Sequence, residues 1–154
     1  MTSVYTHHQW LIIGLIFFGI IAYIALVRWR DRKWIENRFR GQEILSMSFG
    51  VNYFGRLSEP GKPKRSSGFL LLLDDGLFYR SRTARVMLHI KGDTISRVYP
   101  GNELKGVDLH QSVMKIDFLN ENSQKDCAAF KVPYPPQWIN AIKTNLLLPG
   151  RSRQ

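Results

Sequence analysis

Eighteen consecutive residues without a charge, Trp10 to Val27 (WLIIGLIFFGIIAYIALV), constrain this chain more than any other feature. At about 1.5 Å rise per residue a helix of that length extends roughly 27 Å, close to the hydrocarbon thickness of a bilayer. The stretch is apolar on every face, unlike the one-sided pattern of a helix buried in a soluble domain. Gly14 and Gly19 are tolerated in a lipid-spanning helix, and Tyr5, Trp10, Trp29 and Trp34 stand near its two ends, where aromatic rings prefer the headgroup level. A cleaved signal peptide fits less well. No Lys or Arg precedes residue 28, the apolar run is too long, and Ala22 and Ala25 lack the spacing of a cleavage site. The expectation is a transmembrane helix over 10–27, preceded by a short extracytoplasmic N-terminus over 1–9.

The basic residues give the direction. None precedes the helix, whereas Arg28, Arg30, Arg32, Lys33, Arg38 and Arg40 follow it closely. The positive-inside rule then places the N-terminus outside and the rest of the chain in the cytoplasm, at a plasma membrane. The flank over 28–43 can continue as helix. Arg32 with Glu36, and Glu36 with Arg40, have i,i+4 spacing, and Trp34, Ile35 and Phe39 make a narrow apolar strip. The basic flank serves either as a stop-transfer signal or as a contact with anionic headgroups, each cation near such a surface contributing about 1 kcal/mol. Gly41 suits a helix end. The linker beyond it is short, so the following domain is expected to lie close to the membrane face. The six flanking cations also account for much of the net charge of +10, which weakens a nucleic-acid reading; no recognition motif for nucleic acid is present.

From Ile44 the periodicity becomes that of strands. Ser48 to Tyr53 alternates. A loop rich in Pro, Gly and Ser covers 58–68. Phe69 to Leu73 is a short apolar run, and Asp74-Asp75-Gly76 before Leu77-Phe78-Tyr79-Arg80 reads as a hairpin turn in which glycine accepts a positive φ. Strands are expected over 85–90, 94–99, 109–119 and 127–132, with a polar turn at Asn120 to Ser123. Pro135-Pro136 then opens a helix in which Trp138, Ile142 and Leu146, with Ile139 beside them, form one buried face. Pro149-Gly150 stops it, leaving a basic tail over 149–154 that includes Arg151 and Arg153. About seven strands followed by one helix, over 44–148, define a mainly β domain: a barrel or sandwich closed by the C-terminal helix.

Gly68 to Tyr79 (GFLLLLDDGLFY) resembles the second and third strands of GRAM and other pleckstrin-homology-like domains. Leu88 and Ile90, then Ile95 and Val98, resemble the segment that follows in GRAM domains, and the late alternating strand, the strand over 128–132 and the Trp138 helix resemble the end of that fold. The resemblance covers roughly residues 44–148 and implies a non-catalytic binding or scaffold module. It implies further that basic residues in the loop between the first two strands, here Lys62, Lys64 and Arg65, contact inositol lipid headgroups together with Arg80 and Arg82 on or just after the third strand. Lys and Arg suit phosphate by charge and donor number.

Catalytic signals are absent from the sequence. The chain has one cysteine, Cys127, so no internal disulfide and no four-thiolate metal site can form. His7, His8, His89 and His110 carry no ligand spacing, and no phosphate-binding glycine loop or nucleophile elbow appears. No enzyme activity, metal or cofactor is expected. The expected partners are anionic lipids and a membrane or cytoplasmic protein. The alternative function is that of an accessory single-helix subunit of a larger membrane complex.

Overall fold

The computed structural model describes residues 3–83 and 85–148, with side chains from His8 onward. The chain divides into two compact units, Met1–Gly41 and Gln42–Gln154. The tail over 149–154, with Arg151 and Arg153, and the Pro149-Gly150 stop lie outside the described residues.

The first unit is one helix, α1 (Ser3–Arg38). Over residues 10–26 its apolar side chains are exposed on every side, Leu15 76% and Phe18 74%, whereas Ile35 near its end is buried. This helix is long and apolar enough to cross a membrane. Helical structure runs unbroken through the basic flank because Arg, Lys, Glu and Trp there form helix without a glycine or proline to interrupt it. The helix ends at Arg38, and Gly41, three residues on, takes φ +91°. Lys33 Nζ lies 5.1 Å from the centre of the Trp29 ring, and the Trp34 and Phe39 rings meet edge-on. Glu36 forms neither of the ion pairs its spacing allows among the described residues; it and the six flanking cations are all exposed.

The second unit holds seven strands: β1 (Ile44–Arg56), β2 (Ser66–Leu73), β3 (Gly76–Ser81), β4 (Met87–Lys91), β5 (Ile95–Leu104), β6 (Val107–Leu119) and β7 (Lys125–Lys131). They form one antiparallel sheet in the order β4-β3-β2-β1-β7-β6-β5. β1 therefore sits at the centre, bonded to β2 on one side and β7 on the other. The end strands β4 and β5 do not pair, so the expected barrel is an open sheet curled around its core. β1 bends where its register slips between Phe49 and Val51, at Gly50 with φ +73°, as a bulge requires.

Strand alternation sorts the core. Leu70 and Leu72 of β2, Leu77 and Tyr79 of β3, Leu88 and Ile90 of β4, Met114, Ile116 and Phe118 of β6, and Ala128 and Phe130 of β7 enter one cluster. α2 (Pro135–Ile142) closes it with Trp138 and Ile142, its two prolines in the first helical positions where no N–H is needed. The chain then widens into an i→i+5 turn over Lys143–Leu147, closed by Leu148 N–H donating to the Lys143 carbonyl at 3.0 Å. Leu146 packs on the core edge from that turn rather than from the helix proper.

Two turns differ from their sequence reading. The β2–β3 hairpin forms with Leu72 opposite Leu77, yet Gly76 has no positive φ. Glycine is needed there for space: a Cβ would stand 2.2 Å from the Ile90 carbonyl oxygen of β4. Conversely, β5 continues through Pro100 and Gly101 to a two-residue turn at Lys105 and Gly106, both with positive φ (+56° and +72°), the pattern of a twisted hairpin turn. The resulting long β5–β6 hairpin lays Leu104, Val113 and Leu109 with Phe54 and Ala129 in a second, smaller apolar cluster.

Candidate functional site

Two features of the second unit are open to a ligand or partner: the β1–β2 loop, and a concavity on the outer side of β5–β6–β7.

The loop spans residues 57–65 and carries Lys62, Lys64 and Arg65, all exposed. None of the three side chains has a hydrogen-bond or ion-pair partner among the described residues. The rest of the loop is held firmly. Glu59 accepts a hydrogen bond from the Tyr53 hydroxyl at 2.5 Å and pairs with Arg56 Nε at 3.3 Å. Lys105 Nζ, at the β5–β6 turn, donates to the Glu59 carbonyl and, at 3.0 Å, to the Gly61 carbonyl. At the loop's far end Lys64 N–H donates to the Phe54 carbonyl at 3.1 Å. At its start, Ser58 donates through its backbone N–H (3.1 Å) and its hydroxyl (2.5 Å) to Asp126, a carboxylate only 2% exposed that also takes the Cys127 N–H.

Below the loop, Tyr53, Tyr79 and Phe130 pack ring to ring with centroids 5.1–5.5 Å apart. Burial pushes the Tyr53 hydroxyl well above the usual tyrosine range, and the Glu59 carboxylate beside it adds to the shift. Burial likewise raises Tyr79, partly offset by its bond with Ser66. Both phenols stay neutral donors at any physiological pH.

The third-strand cations are placed differently. Arg80 lies on β3, half-buried, opposite Phe69 and Met87, on the face away from Tyr79 and the core. Arg82 is exposed, and its N–H donates to the Ser67 carbonyl at 2.9 Å, which brings it beside the exit of the β1–β2 loop. Both arginines make further contacts of their own. Lys62, Lys64 and Arg65 thus share one loop with Arg82 at its border, and Arg80 lies two residues back along β3, on the face opposite Tyr79. Glu59, Tyr53, Arg56 and Lys105 were not legible as site residues. Arg56 and Glu59 at i,i+3 were the one available signal, and Lys105 is too distant in sequence to give any.

The outer concavity has a volume of about 650 Å³. Tyr99, Phe118 and Cys127 line it, with Leu57 and Leu119 at its rim, 49% and 43% exposed. Tyr99 donates to Asp117 Oδ1 at 3.2 Å, and Arg97 donates to Asp117 Oδ2 through Nε (3.1 Å) and Nη2 (3.0 Å) while covering the Tyr99 ring at 4.2 Å. Cys127 is buried on the face of β7 opposite Ala128 and Phe130. Burial, with Asp117 beside it, pushes its thiol up to about 12, so the thiol holds its proton at neutral pH. His89 and His110 stand apart on exposed positions, near Asp75 (3.7 Å) and Asp108 (3.4 Å). Among the described residues no group of three His, Cys, Asp or Glu could hold a metal ion.

Seven antiparallel strands in this order, followed by a C-terminal helix against the core, make a mainly β domain of pleckstrin-homology-like fold. No protein-family model and no curated protein matches the chain. Among solved structures it is similar to the C-terminal domain of an unknown protein from Leishmania infantum, with TM-score 0.52 and 14% identity over 81% of this chain and 99% of that one. It is also similar to the Vps36 N-terminal PH domain, with TM-score 0.49 and 12% identity over 70% of this chain and 80% of that one.

Proposed function

We propose that this chain is a membrane-anchored, non-catalytic binding module that holds a GRAM-like domain at an anionic cytoplasmic membrane face. The observation that carries this is the coincidence on one chain of an exposed apolar helical span, six exposed cations directly after it, and a fixed loop displaying three unpaired cations. The narrower GRAM-like reading draws on Leu88, Ile90, Ile95 and Val98, which all enter the core. In this reading α1 spans a plasma membrane with its N-terminus outside. The flank of Arg28, Arg30, Arg32, Lys33, Arg38 and Arg40 lies at the headgroups, and Lys62, Lys64 and Arg65 add a second contact. Three cations near an anionic surface contribute about 3 kcal/mol, screened as salt rises.

The test is co-sedimentation of residues 42–154 with neutral and anionic vesicles at two salt concentrations. Salt-sensitive binding to anionic vesicles, lost when Lys62, Lys64 and Arg65 become Ala, supports the reading. Equal binding by the triple variant refutes the loop's role.

A second reading, an accessory subunit of a larger membrane complex, is favoured by the outer concavity, whose rim leucines, Leu57 and Leu119, offer a protein partner an apolar seat. Leu57→Asp with Leu119→Asp would then strip a stoichiometric partner from the chain purified in mild detergent. Vesicle binding would be unchanged.

A further inference from the structure

Nine residues of loop with a Pro-Gly at the centre would ordinarily sample many shapes, and cations on such a loop would lose ordering entropy on meeting a surface. This loop is instead clasped at its middle by one residue. The Glu59 carboxylate takes a hydrogen bond from Tyr53, whose ring is locked in the core by Tyr79 and Phe130, and an ion pair from Arg56. The backbone around Glu59 is held from the other side by Lys105. The site is shaped for the carboxylate: Gly55, at φ +109°, leaves room where a Cβ would stand 3.1 Å from Glu59 Oε2. Lys62, Lys64 and Arg65 follow directly on this clasp and are themselves unpaired.

We infer that Glu59 is a positioning residue for an anion-binding loop: an acidic side chain that raises affinity for lipid phosphate by fixing the three cations after it. The inference rests on the lipid reading above and deepens it. It makes an unusual sign the deciding quantity. By net charge alone, deleting an acidic residue from a basic surface strengthens binding to an anionic membrane, by about 1 kcal/mol or roughly fivefold. Loss of the clasp acts the other way, because the loop must then be ordered on contact.

The experiment uses the full chain held in neutral phosphatidylcholine nanodiscs and titrated with vesicles containing phosphatidylserine. Hydrogen exchange of residues 57–65 is read in the same nanodiscs without vesicles. Glu59→Ala is expected to weaken vesicle binding about fivefold, against the charge trend, and to speed exchange at the amides of residue 59 and Lys64, which donate to the Arg56 and Phe54 carbonyls. Glu59→Gln, which still accepts from Tyr53, should recover most of both. A variant with Lys62, Lys64 and Arg65 changed to Ala should bind as weakly as Glu59→Ala or weaker, with the loop still protected. Tighter binding by Glu59→Ala overturns the inference, as does unchanged exchange. If the triple variant binds like the parent while Glu59→Ala loosens the loop, the clasp exists but the lipid reading fails, and the inference falls with it.

Discussion

Gly68 gives the sharpest test of how the sheet is packed. It lies on β2 with neighbours on both sides, Val51 on β1 and Ser81 on β3. Its φ is ordinary, so alanine meets no backbone strain. What alanine meets is the neighbouring strand: its Cβ would stand 1.9 Å from the Arg80 carbonyl oxygen and 2.9 Å from Ser81 Cα. To restore a contact of at least 3.0 Å, β2 and β3 must part by about 1 Å at this point. The Arg82 N–H to Ser67 carbonyl bond, now 2.9 Å, lies beside the opening and would be lost or badly stretched. One or two lost ladder bonds at about 1 kcal/mol each, plus overpacking of about 1–3 kcal/mol, put the cost of Gly68→Ala at about 2–5 kcal/mol. Gly50→Ala is the control. It carries φ +73° with no atom within 4 Å of its Cβ, so only the left-handed backbone is penalised, by about 1–2 kcal/mol. Urea unfolding followed by near-ultraviolet circular dichroism measures both. If Gly68→Ala costs less than Gly50→Ala, or under about 1 kcal/mol, the close approach of β2 and β3 is refuted.

Asp126→Ala removes the acceptor for Ser58 and for the Cys127 amide. Since hydrogen bonds to a charged group are worth about 1.5–3 kcal/mol each and Ser58 can turn to water, a loss of about 2–4 kcal/mol is expected from urea unfolding, with Asp126→Asn intermediate. Cys127 has a thiol raised to about 12 by burial. At pH 8 its alkylation, followed by mass spectrometry, should run roughly a thousandfold slower than that of an unfolded-chain thiol with pKa about 8.5. The same shift sets a sign for stability: the folded chain holds the proton longer than the unfolded one. Its contribution is therefore whole below about pH 8.5 and is lost as pH rises toward 12. The urea midpoint should fall between pH 9 and 11 more steeply in the parent than in Cys127→Ala, and equal slopes would contradict the assignment.

The strands that were legible were those whose periodicity is carried by large apolar side chains. Phe69 to Leu73 and Val113 to Phe118 announce themselves, and Trp138 with Ile142 marks the closing helix, because burial of one face is a local pattern. The β5–β6 hairpin was hidden for a physical reason. Pro100-Gly101 looks like a break, but Pro100 is exposed there, and the true turn falls on Lys105-Gly106, where a lysine holds the left-handed conformation. Gly76 shows the converse: the hairpin was readable, but its cause was not. The requirement comes from β4, and a strand neighbour cannot be seen in a turn's own residues. At the site, Lys62, Lys64 and Arg65 were visible as charge on a loop. Glu59 was not, since its meaning depends on Tyr53 and Lys105, which only the fold brings near.

The central position of β1 has a consequence for synthesis. β1 leaves the ribosome directly after α1 and finds β2 at once, but its other edge is completed only by β7, through pairs such as Tyr53 with Phe130. More than half of the second unit must be made between those two events. Until then one side of β1 presents open backbone donors and acceptors, the kind of edge that recruits strands from other chains. A nascent chain halted before Lys125 would therefore carry an apolar helix and an unfinished sheet together. Truncations in that window, rather than substitutions in the finished domain, should give the greatest tendency to aggregate.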